Sequence, residues 1–112
     1  MSKQHPQVVI VLTQMPDGES ATRLAEFLVS EKLAACVNML PAGMSIYRWQ
    51  GKLQHDSETT MLIKTTATGY EALQAAILQQ HPYELPEIIC LPVSGGLPAY
   101  LQWVNENVSN KL

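Results

Sequence analysis

The sequence predicts a single α+β domain in which one antiparallel sheet carries two helices on one face. Short runs of β-branched and apolar residues alternate with segments whose apolar residues recur every three or four positions. Turn residues, chiefly Pro, Gly and Asp, separate these segments in the order β-α-β-β-α-β. The 112 residues, 46 % hydrophobic and 15 % charged, suffice for one compact core and not for two, so residues 1–112 form one domain.

The N-terminal third supplies a strand and a helix. Residues 8–12 are a β-branched run that stops before Pro16, as is typical of a buried strand followed by a turn. Asp17 can accept hydrogen bonds from the first turn of a helix, which we expect over residues 18–32. We expect residues 1–6 to be disordered. The apolar stripe of the helix consists of Ala21, Leu24, Ala25 and Leu28.

The middle third predicts a long β-hairpin. Residues 34–49 have the β character of one strand, broken or bent at Pro41-Ala42-Gly43. Gln50-Gly51 is a turn signal, and residues 52–66 form the returning strand, which ends in a strongly apolar run.

The C-terminal third repeats the helix–strand pattern and adds a helix. Thr68 is the predicted cap of a second helix over residues 69–80, which ends before Pro82. Residues 88–93 form the last strand, and residues 98–107 form a short amphipathic helix. The resulting order is that of the ferredoxin-like fold, with one C-terminal helix added.

The predicted hairpin is longer than the helices that should cover it. A strand of 15 residues spans about 45 Å, whereas a helix of 14 residues spans about 21 Å. Tyr47 and Trp49 share one strand face, and we expect them, with Leu53 and Met61, to be exposed in a single chain. Such an exposed patch predicts an interface. Several copies of the chain that pair their hairpins around a rotation axis would cover the patch and form a closed ring.

Charge and cysteine content exclude several classes of partner. The net charge is −3, and the seven Lys and Arg residues are not clustered, which argues against nucleic acid and membrane surfaces as partners. The apolar run near the N-terminus is shorter than that of a signal peptide, so we expect a cytoplasmic protein. Cys36 and Cys90 each lie in an apolar run and are expected to be buried, unpaired thiols.

Five sequence blocks lie between residues 31 and 103, namely Glu31-Lys-Leu-Ala-Ala-Cys-Val-Asn38, Ser45-Ile-Tyr-Arg-Trp-Gln-Gly-Lys52, Ile63-Lys-Thr-Thr66, His81-Pro-Tyr-Glu-Leu-Pro-Glu-Ile88 and Tyr100-Leu-Gln-Trp103. In their order and spacing they resemble the CutA family of divalent-cation tolerance proteins, and the resemblance covers residues 8–108. It implies a ferredoxin-like homotrimer held together by long hairpins and related in architecture to PII-type signalling proteins.

The resemblance also implies a role in tolerance of divalent cations, with copper or another divalent cation as ligand. The family's proposed copper ligands are a Cys at the end of the first strand and two successive His before the Pro-Tyr motif. Those positions are Thr13, Gln80 and His81 here, and Thr and Gln are poor copper ligands. The metal-binding candidates are therefore His81 and Cys36, the latter in the family's Ala-Ala-Cys block.

Polar and aromatic residues concentrate around the hairpin and the Pro-flanked segment. They allow two interpretations, which stay open: packing at an interface with satisfied hydrogen bonds, or a ligand cleft between subunits. These candidate binding residues are Tyr47, Trp49, Glu58, Lys64, Tyr83, Glu84 and Glu87.

The sequence carries no catalytic signature, and we predict that the protein is not an enzyme. No nucleophile lies beside a base, no Gly-rich phosphate loop opens a helix, and His55-Asp56 reads as a solvated pair. Two function classes remain. One is a trimeric metal-responsive module with a cation near His81. The other is a scaffold or signalling protein that docks another protein, or a small ligand, in the cleft between subunits.

Overall fold

The computed structural model describes residues 6–109 and confirms the predicted order of elements. The expectation of disorder in residues 1–6 falls, except for Pro6, outside the described residues. The elements are β1 (Val8–Met15), α1 (Gly18–Ser30), β2 (Cys36–Trp49), β3 (Lys52–Thr66), α2 (Tyr70–Gln80), β4 (Ile88–Pro92) and α3 (Pro98–Glu106).

The four strands form one antiparallel sheet in the order β2-β3-β1-β4. β1 lies inside the sheet and pairs with β3 from Val8 opposite Thr66 to Met15 opposite Thr59. β4 pairs with the other side of β1. Each outer strand, β2 and β4, therefore has one edge without a strand partner among residues 6–109, and such edges favour association with another strand.

Helices α1 and α2 cover one face of the sheet and enclose the main core. Val11 and Ile63 are opposite each other on β1 and β3, and both are fully buried beneath the helices. As predicted, Asp17 caps α1, with its Oδ1 atom accepting a hydrogen bond of 2.7 Å from the backbone N–H of Ser20. The helices contribute Ala21, Leu24, Ala25, Leu28, Leu73, Ala76 and Ile77.

Helix α3 lies on the other face, which we call the open face. Val8 precedes the core residue Val9 and so points to the opposite side of β1. There it packs in a second, smaller cluster with Val104 and Val108, against which Leu101 is partly buried. The inward direction of Leu101 and Val104 is therefore confirmed, although α3 covers only part of the open face.

The β2–β3 hairpin extends well beyond β1. Residues 52–58 of β3 pair only with β2, because β1 ends opposite Thr59. The chain measures 55 × 26 × 23 Å, and its radius of gyration of 15.0 Å exceeds the value of about 13 Å typical of a compact chain of this length. We call this projecting part, residues 43–58, the distal ribbon.

A bulge in β2 marks the start of the distal ribbon. Leu40 pairs with Thr60 and Gly43 with Glu58, so that two residues of β2 oppose one of β3. One of these two β2 residues, Ala42, has a left-handed φ of 59°. A Cβ atom on Gly43 would lie 3.2 Å from the carbonyl oxygen of Glu58, so the strands approach closely here.

The helix boundaries correct two details of the prediction. Thr68 does not cap α2: Gly69 occupies the cap position, and its backbone N–H donates to the Oγ1 atom of Thr66 at 3.2 Å. Helix α1 ends at Ser30 rather than at Lys32, because Lys32 has a left-handed φ of 58° and leaves the helix.

Three burial expectations are also wrong. Met61 is fully buried, because it lies on the helix-covered face opposite Thr13 rather than in the distal ribbon. Cys36 is only half-buried and Cys90 is exposed, and both thiols are unpaired, as expected. Cys36 lies on an outer strand and on the open face. Cys90 lies on the other outer strand, opposite Val11 on the helix-covered face, and is exposed at this edge of the sheet.

Candidate functional site

A cleft of about 860 Å³ lies between the distal ribbon and residues 82–87. We call it the ribbon cleft. Its volume falls in the range of small-ligand sites, which is roughly 300–1,000 Å³. The structure brings six of the seven predicted binding residues together here, namely Tyr47, Trp49, Glu58, Tyr83, Glu84 and Glu87.

The bulge in β2 places two aromatic side chains of the ribbon cleft on the same face as two of its carboxylates. Before the bulge, even-numbered residues of β2 point to the open face; after it, odd-numbered residues do. Tyr47 and Trp49 therefore lie on the same face as Asp56 and Glu58, as their register with Gln54 and Lys52 shows. Without the extra residue, the two rings would point away from these carboxylates.

His81 fixes the position of residues 82–87. Its Nδ1 atom accepts a hydrogen bond of 3.2 Å from the backbone N–H of Tyr83, so that this nitrogen carries no proton. Its Nε2–H therefore donates to the carbonyl oxygen of Gln14 at 2.7 Å. Because both ring nitrogens are engaged, His81 joins the end of β1 to the start of the cleft segment.

The environment of His81 favours the neutral imidazole. His81 is buried, and burial lowers its pKa, while the bond to the Gln14 carbonyl and the charge of Glu58 act in the opposite direction. The ring of His81 also packs against that of Tyr83, with 4.8 Å between the ring centroids. His81 is thus a neutral clamp rather than a solvated group at a helix end.

Two tyrosine–carboxylate pairs line the cleft. The hydroxyl of Tyr83 donates to the Oε2 atom of Glu58 at 2.7 Å, and the hydroxyl of Tyr47 donates to the Oδ2 atom of Asp56. Burial, and then the hydrogen bond to Glu58, raises the pKa of Tyr83 well above its ordinary value. The hydrogen bond to Asp56 raises the pKa of Tyr47. Both phenols are therefore proton donors that orient a carboxylate.

The ribbon cleft carries more negative than positive groups. Arg48 is the one basic residue among its lining residues, and no ion pair joins it to a cleft carboxylate. Within residues 6–109 the single ion pair is Arg23–Glu19, on the surface of α1. The acidic lining residues are Asp56, Glu58, Glu84 and Glu87.

The seventh predicted binding residue, Lys64, lies elsewhere. Lys64 is paired with Cys36 on the open face, and its Nζ atom is 3.9 Å from the Cys36 Sγ atom. It lies four residues along β3 from Thr60, which is the residue opposite Gln14. It also donates to the side-chain oxygen of Asn38. The two metal candidates also lie apart, since His81 follows α2 whereas Cys36 begins β2.

Among the cleft residues that sequence reasoning missed, Asp56 and Gln14 matter most for its hydrogen bonds. Asp56 lies two residues from Glu58 on the same strand, and this i, i+2 spacing was the available signal for a shared face. It also separates Asp56 from His55, which points to the opposite face. Gln14 acts through its backbone carbonyl, which every residue has, so no sequence signal could have identified it.

Residues 9–107 match the family model described as CutA1 divalent ion tolerance protein. The chain belongs to this family. Divalent-cation tolerance protein CutA of Pectobacterium atrosepticum is 47 % identical over 100 residues, which are 89 % of this chain and 91 % of that protein. The chloroplastic Protein CutA of Arabidopsis thaliana is 42 % identical over 109 residues, which are 97 % of this chain and 59 % of the plant protein.

Solved CutA1 structures have the same fold. The crystal structure of CutA1 from Oryza sativa superimposes with a TM-score of 0.92 and 38 % sequence identity, covering 96 % of this chain and 98 % of the rice chain. The predicted α+β, ferredoxin-like class is thus confirmed. No helix within residues 6–109 is both long and apolar enough to cross a membrane.

The CutA1 name raises the question of a metal site, and the described residues do not assemble one. Residues 6–109 contain no group of three or more His, Cys, Asp and Glu side chains arranged to hold a metal ion. Thr13 is fully buried on the helix-covered face, and its hydroxyl has no hydrogen-bond partner among the described residues. His81 has both nitrogens engaged, so residues 6–109 offer no preformed copper centre at this position.

Proposed function

We propose that the protein contributes to tolerance of divalent cations as a self-associating, non-catalytic module whose ribbon cleft binds a ligand. Membership of the CutA1 family over residues 9–107 carries the first part of this proposal. The cleft carries the second, since it joins aromatic rings, oriented carboxylates and a volume suited to a small molecule. We also propose a cytoplasmic location for this activity.

Self-association as a homotrimer, related in architecture to PII-type proteins, is part of the proposal. A two-stranded ribbon is marginally stable alone in water, and the distal ribbon has no third strand within residues 6–109. The unpaired edges of β2 and β4 offer hydrogen-bonding groups to other copies. The open face adds exposed apolar side chains, namely Leu40, Ile89, Leu91, Tyr100 and Trp103.

Direct binding of copper or another divalent cation at His81 or Cys36 is a second candidate, favoured by the resemblance to CutA. Binding at His81 would require its Nδ1 atom to release the Tyr83 N–H, or its Nε2 atom to release Gln14. Binding at Cys36 would place the cation beside the ammonium group of Lys64. Both contacts oppose a cation in a single chain, so ligands from another copy would have to compensate.

Native mass spectrometry tests this second candidate directly. The purified protein is measured before and after addition of one copper(II) per chain, followed by desalting. Retained copper that is lost in His81→Ala and kept in His55→Ala, the exposed control, would support a site at His81. A wild-type protein that emerges without copper contradicts that site.

Growth under metal stress tests the main proposal. In cells that lack their own copy, we expect the wild-type chain to restore growth at high copper or zinc. Tyr83→Phe and Glu58→Gln should restore it less, because each removes the bond that orients the cleft carboxylate. Glu71→Gln, on the first turn of α2, is the matched control and should behave as wild type. If all variants restore growth equally, the cleft has no part in metal tolerance. If the wild-type chain does not restore growth, the proposed function is contradicted.

A further inference from the structure

We propose that the ligand of the ribbon cleft is a small organic cation, an amine whose ammonium groups bind between the carboxylates and aromatic rings of the cleft. This inference rests on the proposed function, which makes the cleft a ligand site, and it names the chemical class of the ligand. Three independent properties of the cleft support it: an unpartnered oxygen on a buried carboxylate, the excess of negative groups and the arrangement of the rings.

The buried carboxylate of Glu58 is the first argument. The residue is 7 % exposed, yet its carboxylate forms no ion pair with any of the described residues. Its Oε2 atom accepts the Tyr83 hydroxyl, while its Oε1 atom accepts no hydrogen bond from the described residues, although Glu58 lines the cleft. Since Oε1 is not among the buried atoms that lack a partner, it is open to the cleft and can accept a charge-assisted hydrogen bond from a donor that enters there.

The charge balance is the second argument. Asp56, Glu84 and Glu87 join Glu58 around the cleft, against the single guanidinium of Arg48. His81 adds no positive charge, because its Nδ1 atom accepts the Tyr83 N–H. A lining with this excess of negative charge attracts cations and repels phosphate groups. The cleft is therefore electrostatically unsuited to a nucleotide.

The aromatic rings are the third argument, and they distinguish an organic cation from a metal ion. Tyr47, Trp49 and Tyr83 line the same cleft as the carboxylates. Ammonium groups are attracted to the faces of Trp and Tyr rings, and the attraction strengthens as the group loses water. A divalent metal ion instead requires several converging ligand atoms, which residues 6–109 do not assemble.

The dimensions of the cleft agree with a ligand larger than one ion. A volume of about 860 Å³ accommodates a chain of several carbon atoms with an amine at each end. One ammonium group would bind the Oε1 atom of Glu58, beside the ring of Tyr83. A second would bind toward Glu84 or Glu87, which are exposed at the cleft rim.

Spermidine is the probe that tests this inference. Trp49 and Trp103 are the two tryptophans of the chain, so in a Trp103→Phe background the tryptophan fluorescence reports on Trp49 alone, in the cleft. We expect saturable quenching by spermidine at physiological ionic strength, confirmed by calorimetry on the intact oligomer. Glu58→Gln should raise Kd about tenfold or more, because the ammonium loses a charged acceptor.

Two further variants keep the test independent of folding defects at Glu58. Trp49→Leu, followed by calorimetry, should weaken binding about fivefold, because the ammonium loses a ring face. Glu71→Gln removes one carboxylate from α2, outside the cleft, and should leave Kd unchanged. If Glu71→Gln weakens spermidine binding as much as Glu58→Gln does, the binding is general charge attraction and the inference is overturned.

Two competitor ligands separate this inference from the proposed function. If magnesium displaces spermidine at equal concentration, charge alone holds the ligand and the organic-cation class is wrong. If spermidine does not quench the fluorescence of Trp49 and ATP does, the cleft remains a ligand site, but its ligand is an anion and the inference is wrong. If none of these probes changes the fluorescence of Trp49, the ligand-binding part of the proposed function fails with the inference.

Discussion

At the scale of single residues, His81 shows how far a side chain's chemistry can be read from sequence. Its position before the Pro-Tyr motif marked it as a metal candidate, and imidazole is a common ligand. The structure places both of its nitrogens in hydrogen bonds that connect β1 to the cleft segment. Metal binding there remains a prediction, while the role of His81 as a clamp follows from the two bonds.

The lowered pKa of His81 predicts that the protein loses stability in mild acid. The unfolded chain takes up a proton below about pH 6.5, whereas the folded chain resists it because the imidazole is buried. Stability is therefore full above pH 6.5 and falls as the pH drops toward the folded-state pKa. The slope of the free energy of unfolding should not exceed about 1.4 kcal/mol per pH unit for this one proton.

Urea unfolding between pH 7.5 and 5, at constant protein concentration, measures this effect. His81→Gln should flatten the slope, since Gln keeps hydrogen-bonding atoms and does not titrate. His55→Gln, at an exposed site, should keep the wild-type slope. An unchanged slope in His81→Gln would show that other groups cause the loss; the charge of Glu58, which raises the pKa of His81, would be the first to examine.

At the scale of elements, the β2–β3 hairpin was predicted well in extent and less well in detail. The returning strand, Lys52–Thr66, and the Gln50-Gly51 turn have the predicted bounds. The bend expected at residues 41–43 is a one-residue bulge within a continuous strand. Its consequence, the exchange of even for odd residues on the open face, requires the register of both strands and could not be derived from one of them.

The hairpin turn predicts a stabilising substitution. Gln50 and Gly51 have φ values of 51° and 79°, the combination required by a type I′ turn, in which Asn is better tolerated than Gln at the first position. Gln50→Asn should stabilise the protein by about 0.5 kcal/mol. Thermal unfolding at constant concentration measures the change. Gly51→Ala is the opposite control and should lower Tm; if Gln50→Asn also lowers Tm, Gln50 has a role beyond the turn.

At the scale of the whole molecule, the projecting ribbon and the exposed open face predict that a single chain is incomplete. We expect a native mass of three chains of 12.4 kDa each. Leu91→Glu should dissociate the assembly, because a carboxylate placed in an apolar interface would be buried without a partner. Leu91 is exposed in one chain, so the variant should still fold.

Leu78→Glu provides the matched control for this experiment. Leu78 is equally a large exposed apolar residue, but it lies on α2, away from the open face. Native mass spectrometry should therefore find the wild-type mass for Leu78→Glu and single chains for Leu91→Glu. A single-chain mass for the wild type at micromolar concentration would contradict self-association, and an intact Leu91→Glu assembly would place its interface elsewhere.

The sequence by itself determined the order of the elements, the fold class, the family and six of the fourteen residues that line the ribbon cleft. These follow from local periodicity, turn residues and motif spacing, all of which are properties of neighbouring positions. It could not place Lys64 beside Cys36 or exclude it from the cleft, because that contact joins two strands. It also mistook Met61 for an exposed residue, since burial depends on which helix covers each strand.

Only the tertiary structure decided the chemistry of the cleft. The pairing of Tyr83 with Glu58 joins residues 25 positions apart, and that of His81 with Gln14 joins residues 67 apart. No local pattern specifies such contacts, because they depend on the register of the sheet, on the one-residue bulge and on the point at which β1 ends. The sequence shows which residue types are present. Their roles depend on the long-range geometry, which brings carboxylates, phenols and a neutral imidazole together around the cleft.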